Sequence, residues 1–330
     1  MLYKNAYEIM SEHHFLSLPE LLKKCDVHLK LEGVNLAGSI KLKAALRMVE
    51  EAERSGRLES GGHIIESSSG SLGIALAMIA AIKGYTFTCV VDPNISRTSL
   101  AAIRAFGSCV IRVDQRDGNG GYLQSRLAVV QQCLQDDPKI VWLNQYTNPA
   151  NPAAHAEGTA AGILHQFPRV DYLFVGVGTS GTLTGCFDHF RKHSPDTRII
   201  AVDATGSVTF GGLPQARRIP GLGASTPPPL FARGSAHRHV QIDEFDAIRC
   251  CRMLARNYGY LAGGSTGSIV AAILSMRSEI EPGSVVVALS PDTGDRYVDT
   301  VYDDDWVRSW YGSEALIPMA LDNELKASLR

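Results

Sequence analysis

The sequence predicts an α/β protein of two three-layer halves, each built on a mostly parallel sheet. Short β-branched runs alternate with longer helical patterns along nearly the whole chain, the pattern of parallel strands covered on both faces. A length of 330 residues corresponds to about two domains of ordinary size. The alternation breaks at "NPANPAAH", near residues 148–153, and then starts again. We therefore expect an N-terminal domain over residues 1–150 and a C-terminal domain over 151–330, with a cleft between them.

In chain order, "VHLKLE" (27–32) reads as a strand. "KLKAALRMVEEAERSGR" (41–57) reads as a helix that gathers Ala44, Ala45, Met48, Val49 and Ala52 on one side. "GHIIES" (62–67) is a strand entering a serine- and glycine-rich turn. "LGIALAMIAAIKG" (72–84) lacks a polar face, so it should be buried on several sides. Strand "TFTCVVD", helix "RTSLAAIRAFG", strand "SCVIRVD", helix "GYLQSRLAVVQQCLQ" and strand "KIVWLNQ" complete the first half. The second half offers a helix near 153–166, strand "YLFVGVG", helix "TLTGCFDHFRKH" and strand "RIIAVDA". After a Gly/Pro-rich stretch over 206–229 come strand "HVQIDEF", two helices and strand "SVVVALS".

A formal net charge of −2 gives no electrostatic case for nucleic acid or an anionic membrane. The seven cysteines are scattered and form no C-x-x-C, so they read as reduced core residues of a cytoplasmic protein. No apolar stretch resembles a signal peptide or a membrane span. His13–His14 has no nearby cysteine or acid cluster, and no metal site is expected.

Ligands of parallel sheets sit where strands end and helices begin, and three such turns have unusual composition. In "EGVNLAGSIKLKAA" (32–45), Lys41 stands at a helix start, the end that disfavours a cation. Destabilising the ammonium is one way to expose a nucleophilic amine; a solvated lysine beside Lys43 is the plainer reading. In "ESSSGSLG" (66–73), hydroxyls and backbone N–H groups open onto a buried helix. They suit anion capture, or a simple serine cap. "GVGTSGTLTG" (176–185) matches G-x-G-x-x-G, with Asp203 where a dinucleotide fold places its ribose-binding acid. That reading makes an NAD(P)-dependent oxidoreductase one alternative. The hydroxyls of Thr179, Ser180, Thr182 and Thr184 favour a terminal phosphate monoester, whose concentrated charge suits a ring of N–H and O–H donors.

Taken together, the three turns resemble the cysteine synthase/cystathionine β-synthase family of pyridoxal-phosphate enzymes, of fold type II and tryptophan synthase β-like. "NLAGSIK" resembles the segment that supplies the cofactor-bonding lysine, which the resemblance assigns to Lys41. "SSGSLG" resembles the substrate-carboxylate loop, with Ser68, Ser69 and Leu72. Gly178, Thr179, Ser180, Gly181 and Thr182 match the cup for the cofactor phosphate. "NQYTNPANPAAH" brings Gln145 as a further carboxylate contact, and "IPGLGAS" brings Gly221 to the substrate side. "PDTGDRY" resembles the terminal segment whose hydroxyl faces the pyridine nitrogen; Thr293 is the first candidate and Ser290 the second.

The resemblance runs in order from about residue 27 to 310. It implies pyridoxal 5′-phosphate in the cleft, a first chain segment that crosses to the other domain, and a homodimer acting on small amino acids. The chain departs from the family in having Ser71 where an asparagine meets the cofactor, "KLK" where the family has "KDR", and "HHFLSLPEL" where it has "G-x-T-P-L". A narrower resemblance, through "DPNISRTSL", "GGYLQSR", "VDATGSVTFG" and "AGGSTGSI", is to the subgroup that makes N-(2-amino-2-carboxyethyl)-L-glutamate. That compound is the precursor of L-2,3-diaminopropionate in siderophore pathways, and the subgroup uses O-phospho-L-serine and L-glutamate. On this reading the reaction is a β-replacement, with Arg126 and Tyr146 holding the leaving phosphate. A cysteine synthase that takes sulfide is the nearest alternative.

Overall fold

A computed structural model describes residues 2–68, 70–118, 120–231 and 236–321. Its elements run β1 (Phe15–Ser17), β2 (Asp26–Leu31), α1 (Lys41–Arg54), β3 (His63–Ser67), α2 (Ser71–Lys83), β4 (Thr86–Val91), α3 (Arg97–Ala105), β5 (Cys109–Arg112), α4 (Leu123–Asp136) and β6 (Val141–Trp142). They continue with α5 (Ala150–Ala154), a π-helical turn (His155–Ala160), α6 (Ala161–Gln166), β7 (Tyr172–Gly176), α7 (Gly181–His193) and β8 (Arg198–Ala204). The last are β9 (Arg238–Ile242), α8 (Glu244–Tyr258), α9 (Gly264–Ser275), β10 (Val285–Ser290) and α10 (Asp304–Tyr311).

Two sheets result, ordered β1-β2-β10-β7-β8-β9 and β5-β4-β3-β6. Every pair is parallel except β1 with β2. The chain thus starts in the larger sheet, where β2 pairs with β10, then leaves to build the smaller one before returning. Period-two alternation divides each core by sheet face. Tyr172 and Phe174 of β7 join Val286 and Ala288 of β10 beneath α8 and α9, while Leu173, Val175, Val287 and Leu289 pack with Leu183 and Phe190 of α7. In the smaller sheet, Ile64, Phe87 and Cys89 meet α1 and α2, while Ile65 and Val90 meet Val130 of α4. The all-apolar helix α2 buries every residue from Leu72 to Ala80, as its composition required.

The structure differs from the sequence reading at some ends. "HVQIDEF" leaves its strand at Ile242, because Asp243 caps α8 by accepting from the Phe245 N–H. "KIVWLNQ" keeps only Val141 and Trp142 in the sheet, since Asn144 takes a left-handed turn (φ 54°). Strand β1, from "HHFLSL", was not anticipated. The described cysteines are all free; Cys89, Cys186, Cys250 and Cys251 are buried, but Cys109 is exposed. Among the described residues no helix is long and apolar enough to cross a membrane, and no group of three or more His, Cys, Asp or Glu could hold a metal ion.

Candidate active site

The loops at the carboxyl ends of β2, β3, β4, β6, β7 and β10 converge on two adjoining cavities, as parallel topology dictates. Ile40, Lys41, Gly221 and Pro291 line both, so Lys41 stands where the two meet. The Ile40 N–H donates to the Pro291 carbonyl (2.7 Å), and Ser39 bridges Asp292, which pins the start of α1 against the end of β10. Burial pushes the Lys41 amine below the usual lysine range, with the Asp292 charge opposing. Burial, rather than the helix end invoked from sequence, is the leading cause.

The smaller cavity is a cup made by Gly178, Thr179, Ser180, Gly181 and Thr182, between β7 and α7. Ser180 adopts a left-handed conformation (φ 68°), so the chain turns abruptly into α7 and leaves that helix's first N–H groups unpaired. Gly178 and Gly181 supply bare backbone. A β-carbon on Gly178 would lie 3.1 Å from the Gly221 carbonyl, and one on Gly181 would lie 2.5 Å from Asn151 Cγ. Ser180 Oγ is buried with no partner. Asp203, the acid a dinucleotide would require, lies outside both cavities and accepts from the Ala204 N–H (2.9 Å).

The larger cavity, about 230 Å³, contains Ser68, Ser71, Leu72, Arg126, Gln145 and Tyr146. Ser69 lies outside the described residues. Ser68 Oγ accepts from the Gly73 N–H (3.0 Å) in the first turn of α2, so the serine cap and the cavity wall are one residue. Its hydroxyl hydrogen has no acceptor among the described residues. The Gln145 side-chain amide and the Tyr146 hydroxyl both donate to the Ser67 carbonyl, at 2.9 and 3.4 Å. Beneath them lies Glu66, fully buried, accepting from Ser67 N, Gln145 N and Trp142 Nε1. Burial raises its carboxyl to about 7 against those three donors. Arg126 extends from α4 and pairs loosely with Asp92 (3.4 Å); its Nε has no hydrogen-bond partner.

Several lining residues escaped the sequence reading. Asn94, Ser96 and Ser99 come from the β4–α3 turn, where Ser96 caps α3 by accepting from the Ser99 N–H. Asp292 accepts from the Tyr297 hydroxyl (2.8 Å) and from Ser265 Oγ (3.4 Å). Arg296 donates to Ser71 Oγ (3.0 Å) and to the Ala37 carbonyl. The two candidates for the pyridine nitrogen do not reach either cavity. Thr293 donates to Asp295 (2.7 Å), and the buried Ser290 hydroxyl engages Tyr260 and Thr266 (2.7 and 2.9 Å). Ser265, at the start of α9 and beside the end of β10, is a hydroxyl residue from this region that does line the cleft. The signal for it was the "GGSTG" turn, a further helix start after a strand-like segment.

A buried orphan hydroxyl, bare glycine backbone and open helix N–H groups fit a phosphate monoester. A depressed lysine amine at the mouth of such a cup defines a pyridoxal-phosphate-dependent enzyme of fold type II. The family model described as pyridoxal-phosphate dependent enzyme matches residues 13–292, and the chain belongs to that family. Pyridoxal 5′-phosphate is its cofactor. The chain is 44% identical over 294 residues to N-(2-amino-2-carboxyethyl)-L-glutamate synthase of Ralstonia nicotianae, covering 89% of this chain and 87% of that protein. It resembles the solved O-ureido-L-serine synthase with a TM-score of 0.86 at 30% identity, over 99% of this chain and 100% of that one. It also resembles the O-acetylserine-dependent cystathionine β-synthase of Helicobacter pylori, with a TM-score of 0.85 at 26% identity, over 91% of this chain and 98% of that one.

Proposed function

We propose that the protein catalyses a β-replacement joining O-phospho-L-serine to L-glutamate, giving N-(2-amino-2-carboxyethyl)-L-glutamate and phosphate, in 2,3-diaminopropionate and siderophore-type biosynthesis. The observation that carries this reading is Arg126, whose buried guanidinium, held at Nε by Asp92 (3.4 Å), lines the same cavity as Lys41 and Ser68. An acetyl leaving group needs no such cation; a leaving phosphate does, because its charge must be balanced where water is excluded. The relative from Ralstonia nicotianae, similar over most of both chains, supports glutamate as the nucleophile.

Gly178, Thr179, Ser180, Gly181 and Thr182 would hold the cofactor phosphate, and Lys41 would bond its aldehyde carbon. Bound there, pyridoxal phosphate supplies an electron sink for the pair left behind when the substrate α-proton departs. Freed from the aldehyde carbon when the substrate's amino group takes its place, Lys41 Nζ would take up the α-proton and later return it; burial, which disfavours the ammonium form, favours the neutral amine that a base requires. Ser68 and Gln145 hold the substrate carboxylate, with Leu72 and Gly221 shaping the walls. Arg126 and Tyr146 take the departing phosphate. Ser265, which lines the cleft where Thr293 and Ser290 do not, would serve the ring nitrogen. The protein acts on small amino acids as a homodimer in the cytoplasm.

The test is a crossed assay of O-phospho-L-serine and O-acetyl-L-serine against L-glutamate and sulfide, read by mass spectrometry. Turnover concentrated in the O-phosphoserine and glutamate pair supports the proposal. Turnover confined to sulfide assigns a cysteine synthase instead.

A further inference from the structure

Behind the cup, a buried hydrogen-bond chain runs from Thr182 into the protein. His155 is fully buried in the π-helical turn, a costly insertion that is frequent at functional sites. Gly185 lets α7 approach that turn, since a β-carbon there would stand 2.9 Å from His155 Cβ. The ring then spans two hydroxyls: Nε2 lies 3.3 Å from Thr182 Oγ1, and Nδ1 lies 3.3 Å from Thr159 Oγ1. Thr159 Oγ1 also accepts from Lys43 Nζ (3.3 Å). The Lys43 ammonium is anchored in turn by Glu12 and Glu32, each at 2.6 Å.

An ammonium has hydrogens to give and no lone pair to offer. We propose that Lys43, Thr159 and His155 form a one-way donor chain that fixes the Thr182 hydroxyl with its hydrogen aimed into the cup. Lys43 donates to Thr159, which passes its own hydrogen to Nδ1. The neutral ring carries its proton on Nε2 and donates it to Thr182 Oγ1. The Thr182 hydrogen is then left over for a phosphate oxygen. Reversed polarity would leave the Thr159 hydrogen without an acceptor, because its hydroxyl is fully buried and its described partners are Lys43 and His155 alone. Burial, with the charges of Lys41 and Lys43, holds His155 well below the usual histidine range, consistent with a single ring proton. His155 is thus a positioning residue that acts through Thr182. The proposal rests on the cofactor phosphate occupying the cup.

The experiment combines Thr182→Val, His155→Phe and the double variant, read by the ³¹P resonance of bound pyridoxal 5′-phosphate and by its release on dilution. Each single change should shift the resonance and speed release about tenfold, in line with one hydrogen bond to a charged group. The double variant should be no worse than the worse single. A Thr182→Val protein that behaves as wild type would remove the phosphate from this cup, and the proposal with it. A Thr182→Val effect without a His155→Phe effect, or additive effects, would overturn the donor chain alone. Should His155→Phe not fold, a neutron structure of the wild-type holoenzyme decides. Deuterium on Nε2 of His155 supports the chain, and deuterium on Nδ1 overturns it.

Discussion

Gly181 stands so close to Asn151 that a β-carbon would lie 2.5 Å from the asparagine's Cγ. Asn151 in turn donates to the Gln145 carbonyl (2.8 Å) and to Thr179 Oγ1 (3.4 Å). One asparagine therefore ties the phosphate cup to the segment that carries the proposed carboxylate contact. Gly181→Ala must push α7 and Asn151 apart. We expect cofactor affinity to fall at least tenfold, measured by fluorescence titration of apoprotein, with the circular dichroism spectrum preserved.

Lys41→Ala removes the one amine that, among the described residues, lines both cavities. The purified variant should lack covalently bound cofactor, read as loss of the visible absorption band and of any borohydride-fixed adduct in the mass spectrum. A retained adduct would move the assignment to another lysine.

Glu66 is a carboxyl whose folded pKa is raised from 4.5 to about 7 by burial. A raised pKa means that the folded state holds the proton more tightly than the unfolded chain. Its stabilising contribution is therefore complete below pH 4.5 and is lost as the pH rises through about 7. The loss is of order 3 kcal/mol, at about 1.4 kcal/mol per pH unit. Glu66→Gln cannot ionise. Relative to the wild type, its melting temperature should rise steadily between pH 4.5 and pH 7.5; a pH-independent difference would contradict the assignment.

Arg126→Gln tests the donor site. Hydrogen bonds to charged groups contribute roughly 1.5–3 kcal/mol, so kcat/KM for O-phospho-L-serine should fall about 10- to 100-fold. O-acetyl-L-serine should change far less. Equal losses for both donors would make Arg126 a structural partner of Asp92.

The strand–helix order was legible because buried parallel strands are short apolar runs and α2 is apolar all round. The cup was legible too, since glycines and hydroxyls at a strand end have little other reason to cluster. What could not be read locally was anything set by distant partners. Nothing in "IKLKAA" marks Lys43 as buried, yet it packs against Glu12 and Glu32, residues brought to it by the N-terminal segment and by the end of β2. The segment "PDTGDRY" points to Thr293, but Asp295 claims its hydroxyl, while α9 delivers Ser265 to the cleft. Arg296 meets Ser71 across 225 residues, a contact no spacing foretells. Ser71 stands where the resembled family has an asparagine, and its contact with Arg296 gives that departure a structural partner.

On the proposed function, one cleft binds pyridoxal phosphate through Lys41 and uses it to exchange a serine phosphate for glutamate. A single absorbance titration addresses it most directly. Purified holoenzyme should show a visible cofactor band that changes on adding O-phospho-L-serine, with release of inorganic phosphate. The band should return to its starting form on adding L-glutamate, as N-(2-amino-2-carboxyethyl)-L-glutamate accumulates. A band indifferent to O-phospho-L-serine, or one restored by sulfide and not by glutamate, would contradict the account.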